Sequence, residues 1–406
     1  MFDADSGTVT QATTDDLRRR NLAGLLGLLH INGAMTRSSI AGALGVNRST
    51  VAALVAELAS EGMVREDSGT GGSVGRPSLV VEPVSTSAAV IAFDMRVERI
   101  VGSLVGVGGQ VLATRERRPQ GHGLTPTEAV RILAVLAGQL HGEHPDIPVV
   151  GVGVAVHGLV RKVDGMVSLA PNLGWRDVPL GNLLSDALAA NFAAPLPVAV
   201  GNDADLGVTS EHRRGSAAGT HNVVFLSGEV GIGGGVVIDG RVMAGGLGFG
   251  GEVGHMVVNP RGRSCRCGSQ GCWETEIGRE AVLGAVGLKE LIGDVPDLRP
   301  LVLESDAAAR RVEDVGEWLG IGLKNLVNIF NPEVIILGGH LRPLHQASAC
   351  VVERQLTQAL PASRRDVRLV YPHFERRAAL MGAAETAFDR LLHDPISVMS
   401  RAARAS

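Results

Sequence analysis

Apolar positions follow helical spacing over the first eighty residues and strand-like runs after that. Leu22, Leu25, Leu26 and Leu29 fall at i, i+3, i+4 and i+7, one face of a helix that Asn32-Gly33 stops. Thr36 predicts the cap of a second, short helix with an inner face of Ile40, Ala43 and Leu44, ended by Gly45. Asn47 predicts the cap of a third, with Val51, Leu54, Val55 and Leu58 inward and Gly62 at its close. Three short helices, the last two separated by a tight Gly-containing turn, are a helix-turn-helix pattern. Two short apolar strands, around Met63-Val64 and Leu79-Val81, then flank a Gly-rich tip carrying Arg76-Pro77, as in a winged hairpin.

From Ala88 the period changes. Ala89–Asp94, Arg99–Gly106 and Gly109–Thr114 read as consecutive strands, with Gly108-Gly109 at a hairpin turn. A helix is expected from Pro126 to Gly142 and a buried strand from Val149 to Val156. Strands then alternate with helices through Val198–Val200, Asn222–Leu226 and Val334–Gly339, an α/β pattern. The expected units are 15–83, a first lobe over 88–195 and a second over 196–390. The break falls near 185–200, and a last helix, about Arg376 to Leu392, returns to the first lobe.

Length and composition agree with several cores: 406 residues, 45% hydrophobic, only 3% aromatic. A net charge of −4 excludes a globally basic nucleic-acid binder but not a local basic patch. The helical unit has seven basic and seven acidic residues between Asp15 and Pro83. DNA binding would therefore rest on placement, with Arg18, Arg19, Arg20, Arg37, Arg48 and Arg76 on one side and the acids on the other. Arg48, Ser49 and Thr50 open the third helix, where a recognition helix meets base edges and phosphates. The alternative is a three-helix interaction domain. Met1–Asp16 carries no signal-like pattern, and the Val149–Val160 run is too short to span a bilayer, so a cytoplasmic protein without membrane contact is expected.

The densest chemistry lies between Glu252 and Glu274. Three of the four cysteines, Cys265, Cys267 and Cys272, crowd there with His255 upstream. Three thiolates and one imidazole complete a tetrahedral shell for one structural Zn²⁺, with no position open for an activated water. Gly268 and Gly271 permit the tight fold-back. A disulfide is the alternative. Cys350 stands alone and reads as a buried structural thiol.

Several segments together resemble the ROK family of sugar-responsive repressors and sugar kinases. They are Ala170–Leu180, Gly201-Asn-Asp-Ala204, Gly231–Gly235, Gly248–His255 with the cysteine loop, and Asn331–Gly339. The resemblance implies a two-lobed actin-like, ribonuclease-H-like ATPase fold behind a winged helix-turn-helix. It further implies sugar contacts from Asn202, Asp203, Glu252, His255 and Glu274, with Gly158 and Asn172 at the pocket wall. His255 would be shared between zinc and sugar.

Asp203 occupies the place of the kinase branch's catalytic base. The phosphate-binding turns depart from the kinase pattern. Asp94 is followed by Met95-Arg96-Val97-Glu98 instead of Gly-Gly-Thr, and Ser227-Gly228-Glu229 replaces Gly-Thr-Gly. Phosphoryl transfer depends on positioning and charge neutralisation, so these changes point away from catalysis. The expectation is a homodimeric or larger repressor on a palindromic operator, controlled by a sugar or sugar derivative. A sugar kinase with Asp203 as base, and a regulator answering to a protein partner, are the alternatives.

Overall fold

The computed structural model describes residues 14–68, 79–119, 124–192, 194–229, 231–289, 291 and 293–405. The expected wing tip, with Arg76, lies outside them. The N-terminal unit comprises α1 (Thr14–Asn32), β1 (Met35–Thr36), α2 (Arg37–Leu44), α3 (Arg48–Ser60), β2 (Val64–Ser68) and β3 (Leu79–Pro83). The Thr36 hydroxyl accepts from the Ser39 N–H at 3.1 Å and caps α2. Asn47 Oδ1 accepts from the Thr50 N–H at 2.7 Å and caps α3. Gly45, at φ 67°, turns the chain between them, and the two helices bend by 108°, within the range of helix-turn-helix units. β3 pairs antiparallel with both β1 and β2.

Two expectations for this unit fail. Ala43 is exposed and Ala41 is buried in its place, because α2 is short and only one turn of it meets the core. The acids do not sit opposite the arginines. Arg37 forks onto Glu66, and Arg18 donates to Glu57 at 3.0 Å. Arg19, Arg20 and Arg48 remain exposed.

Two five-stranded sheets form the body. The first contains β4 (Ala89–Met95), β5 (Ile100–Gly106), β6 (Val111–Arg117), β7 (Val149–Val156) and β11 (Val198–Asn202), in the order β11-β7-β4-β5-β6. A small sheet of β8 (Leu159–Arg161), β9 (Met166–Ala170) and β10 (Trp175–Val178) follows β7. The second large sheet, β14-β13-β12-β15-β16, repeats the first pattern. It uses β12 (Val223–Gly228), β13 (Ile232–Ile238), β14 (Arg241–Val242), β15 (Val334–Leu337) and β16 (Arg368–Val370). Each sheet is an antiparallel meander extended by two parallel strands. β4 and β7 are buried on both faces, which accounts for their unbroken apolar runs.

β11 lies past the expected lobe boundary at 195/196 yet belongs to the first sheet, paired from Val198 with Val152 to Asn202 with Val156. Its apolar stretch is too short to assign to a sheet from sequence. Of the helices, α4 (Pro126–Glu143) and α5 (Leu180–Leu188) join the first lobe's core, and α6 (Asp203–Arg214) leaves β11. The second lobe carries α7 (Trp273–Ile277), α8 (Arg279–Ala285), α9 (Arg299–Glu304), α10 (Asp306–Phe330) and α11 (Leu341–Leu356). Cys350 on α11 is exposed, not buried, because Leu344, Val351 and Val352 take the inner face.

The last long helix, α12 (Ala378–His393), lies on the first sheet and precedes α13 (Pro395–Ala405). Its backbone comes so near that a Cβ on Gly153 would fall 2.1 Å from the Ala383 carbonyl oxygen. One apolar core runs from Leu22, Leu25 and Leu29 of α1 through Val90, Val105 and Val150 to Ala384 and Phe388 of α12. The N-terminal unit is thus seated on the first lobe and does not hang from a linker. Among the described residues no single helix is long and apolar enough to cross a membrane.

Candidate sugar and metal site

The cysteine loop is shaped by its own backbone. Cys265 N–H donates to the Ser269 carbonyl at 2.8 Å and Gly268 N–H to the Cys265 carbonyl at 3.1 Å, a tight knuckle. Gly268 and Gly271 have φ of 93° and 71°, and a Cβ on Gly271 would meet the Asn259 oxygen at 1.6 Å. Trp273, fully buried, donates its indole N–H to the Trp318 carbonyl at 2.8 Å and ties the loop to α10.

The ligand atoms of His255, Cys265, Cys267 and Cys272 all lie within 4.8 Å of one another. Cys267 and Cys272 Sγ are 3.6 Å apart, and Cys265 Sγ is 3.7 Å from His255 Nδ1. A tetrahedron on metal–sulfur bonds of about 2.3 Å has edges of about 3.8 Å, so the separations fit one Zn²⁺. A disulfide needs roughly 2.0 Å, and all four cysteines are free. The chain therefore carries a site for a structural zinc. His255 turns Nδ1 toward the thiols and Nε2 toward Glu252, 3.9 Å from its Oε2. A metal on Nδ1 would fix the ring and its tautomer with Nε2 facing the cleft.

Glu274, on the first turn of α7, stands between metal loop and cleft. Its Oε1 accepts from the Cys265 thiol at 3.0 Å and lies 3.6 Å from His255 Nδ1. Glu252 is 42% exposed along its side chain. Even so, the protein around it pushes its carboxyl above the usual range, and Asp203 and Glu274 add to the push. His255 draws the Glu252 carboxyl back down, and Asp203, Glu252, His255 and Glu274 are near enough to feel one another's charge.

Asn202 and Asp203 enter that cleft from the junction of β11 and α6. Asn202 Oδ1 accepts from the N–H groups of Ala204 at 2.8 Å and Asp205 at 3.1 Å, capping α6. Its Nδ2 donates to the Gly158 carbonyl at 3.0 Å. Asn202 is thus largely spent on holding the wall, and Gly158 is held by it. Asn172 stands exposed on the turn Pro171–Leu173 with no hydrogen bond to the cluster. Asp203 is buried and pairs with His157 Nδ1 at 3.1 Å. Burial pushes its carboxyl up, His157 and Arg96 pull it down, and Asp94 reinforces the burial effect. Two residues on, Asp205 is pushed up to about 7, by burial first and by the charge of Asp203 next.

Sequence reasoning passed over three of these residues: His157, Asp205 and above all Arg96. His157 ends the apolar run of β7, a polar residue at the carboxyl end of a parallel strand where α/β sheets gather ligands. Arg96 had no such signal. Its guanidinium donates to Asp94 Oδ2 at 2.8 Å, to Glu229 Oε2 at 3.0 Å and to the Arg376 carbonyl at 2.9 Å. Burial alone would favour its neutral form, but Asp94 and Glu229 outweigh this and hold it charged. Both turns that depart from the kinase pattern are therefore joined by one side chain. A separate cavity of about 390 Å³ runs along β11 and meets the cluster only at Asn202 and Asp205.

Residues 90–390 match the ROK family model. The chain belongs to the ROK family. This ROK chain is 30% identical over 317 residues to the xylose repressor of Bacillus subtilis, covering 77% of this chain and 80% of that one. It is 29% identical over 270 residues to the glucokinase of Streptomyces coelicolor, covering 62% of this chain and 81% of that enzyme. In structure it resembles a ROK family transcriptional regulator described as a homolog of the E. coli MLC protein. That likeness has a TM-score of 0.76 at 23% identity and covers 95% of this chain and 99% of the other. The repressor likeness extends over the N-terminal unit, whereas the glucokinase match spans a smaller share of the chain. The actin-like, two-lobed fold expected of a ROK protein is the one observed.

Proposed function

We propose that this ROK protein is a DNA-binding transcriptional regulator, a repressor, whose kinase-like body senses a sugar without phosphorylating it. The observation that carries the reading is the asymmetry of the cleft. Its sugar end presents Asp203, Glu252, His255 and Glu274. Its phosphate end is filled by Arg96 bridging Asp94 and Glu229. Carboxylates accept directional hydrogen bonds from hydroxyls. An acidic cleft whose Arg96 guanidinium is already paired offers little to a nucleoside triphosphate.

The N-terminal unit binds duplex DNA through the start of α3, with Arg48, Ser49 and Thr50 toward the major groove, and Arg76, outside the described residues, is the further contact expected from the sequence. In the free protein the Ser49 and Thr50 hydroxyls donate to Asn47 Oδ1 at 2.7 and 2.8 Å, which sets their lone pairs outward. A homodimer on a palindromic operator matches one two-fold axis to another. The similarity to xylose repressors supports a pentose or hexose effector, and sugar binding weakens operator binding. His255, Cys265, Cys267 and Cys272 would hold the zinc, whose contribution is to stiffen the loop that carries His255 and Glu274.

The test is fluorescence anisotropy on an operator fragment selected from random duplexes by the protein itself, with and without xylose, glucose and their phosphates. Sugar-dependent release supports the sensor. Specific binding that ignores every sugar and phosphosugar sinks the sensing half. ATP turnover in the presence of a sugar sinks the non-catalytic half.

A further inference from the structure

Four charged or titratable side chains meet where the N-terminal unit sits on the body, and the sugar cleft does not use them. Glu385 on α12 is buried, with Arg214 Nε 3.5 Å from its Oε1, and with Arg213 Nη1 3.6 Å and His30 Nε2 3.4 Å from its Oε2. His30 belongs to the last turn of α1 and is fully buried. Its Nδ1 accepts from the backbone N–H of Gly108 at 3.0 Å, so the ring proton sits on Nε2, on the side of Glu385, where neither Nε2 nor Glu385 Oε2 completes a hydrogen bond. Arg214 donates to the His30 carbonyl at 3.0 Å, at the exposed end of α1's hydrogen-bond ladder. The arginine also lies against the β5–β6 hairpin tip, where a Cβ on Gly109 would fall 1.8 Å from Nη2. Three elements thus close on one carboxylate: the end of α1, the hairpin tip and the end of α6.

The other end of α6 is in the cleft. Asp203 is its first residue, and the helix of 12 residues spans about 18 Å to Arg214. Its first turn touches the second lobe: a Cβ on Gly235 of β13 would meet the Ala204 oxygen at 2.3 Å. Along its length it is fastened to α12. Ser210 Oγ donates to the Ala378 carbonyl at 2.8 Å, and Arg213 donates to the Glu385 carbonyl at 3.2 Å. Glu211, fully buried, accepts from the N–H groups of His373 and Phe374 at 3.0 and 2.8 Å. A helix held at this many points along its length is suited to carry a shift at its first turn to Arg213 and Arg214.

We propose that α6 is the connection between the sugar cleft and the DNA-binding unit, and that the Glu385–Arg214–His30 cluster is the joint at which it acts. Arg213, Arg214, His30 and Glu385 are positioning residues: none touches sugar or DNA, and together they set the seat of α1 and so the aim of α3. A buried carboxylate held by two guanidiniums and an imidazole has few alternative arrangements, which suits a joint with two discrete settings. An effector acts on DNA affinity only through states it distinguishes, and the cluster is where those states would differ for the N-terminal unit. This inference rests on the sugar-responsive reading above.

The experiment compares full-length wild type, Glu385→Gln and Arg214→Met. For each, xylose and glucose binding is measured by calorimetry, and operator binding by anisotropy with and without the sugar. Wild type should lose operator affinity by about tenfold or more with sugar, in the range of ordinary coupling. Both variants should bind the sugar with near-wild-type affinity and bind operator without sugar, but the sugar should change their operator affinity by less than about threefold. Full sugar-dependent release in either variant overturns the joint. If Glu385→Gln fails to fold, Arg214→Met alone decides, since it leaves the carboxylate and Arg213 in place. A wild type deaf to every sugar overturns the sensor reading itself, and the joint with it.

Discussion

The two ends of the cleft have had opposite fates. At the sugar end, a loop stapled by His255, Cys265, Cys267 and Cys272 holds Glu252 and Glu274 toward Asp203. At the phosphate end, Arg96 reaches across from the first lobe to Glu229 of the second. One end gathers the groups proposed to meet a sugar. The other has turned its charges on itself. Recognition and transfer are separable in such a cleft, because a sugar is held by directional hydrogen bonds while phosphoryl transfer needs an empty, positively disposed cradle.

The largest effect should come from the metal loop. Cys265→Ser should abolish binding of about one zinc per chain and uncouple the loop from the cleft, since a structural site contributes on the order of 10 kcal/mol to its own folding. Metal analysis with sugar calorimetry reads both. Full sugar affinity in a zinc-free variant would dissolve the contrast between the two ends.

Arg96→Met comes next. It leaves Asp94 and Glu229 unpaired across the lobes, and removal of one partner from a buried ion pair costs about 3–5 kcal/mol. Chemical denaturation should show that loss. The double variant Arg96→Met/Glu229→Gln should recover part of it, because it removes both charges of the inter-lobe pair. No recovery would mean that the pair is incidental to stability.

His340 sharpens the comparison through pH. It follows the Gly338-Gly339 turn on the phosphate side, fully buried, with Nε2 donating to the Ile277 carbonyl at 2.9 Å. Burial lowers its pKa to about 4, against roughly 6.5 when unfolded. The unfolded chain therefore binds the proton first as pH falls. Stability from this residue is complete above pH 6.5 and is lost progressively down to pH 4, by about 3 kcal/mol. Denaturation midpoints measured from pH 7 to 4 should fall in wild type, and fall less in His340→Gln.

The smallest effect concerns a single hydrogen-bonding group. Asp203→Ala should weaken sugar binding by about 10- to 100-fold, the worth of a charged hydrogen bond. Operator binding without sugar should stay intact. An unchanged sugar response would move recognition elsewhere, and the cavity along β11 would be the place to look.

Much of this was legible along the chain. The cysteine spacing named the metal site because ligand type and number are local facts. The caps Thr36 and Asn47 marked the starts of α2 and α3 because capping is settled within three residues. Asp203 and Glu252 were legible only through the family resemblance, since a lone acidic residue in a turn says nothing of its partners.

The rest belonged to the tertiary structure. Arg37 and Arg18 read as DNA-facing arginines and instead pair with Glu66 and Glu57. Arg96 read as a lost glycine and proved to be a bridge to a residue 133 positions away. His30, Arg214 and Glu385 lie in three separate helices, and their meeting depends on how those helices pack. The sequence by itself determined what depends on neighbours in the chain: periodicity, caps, the metal ligand set and the absence of a glycine turn after Asp94. Only the tertiary structure decided which charges pair, because an ion pair between distant segments is fixed by packing and by the energetic cost of burying either charge alone.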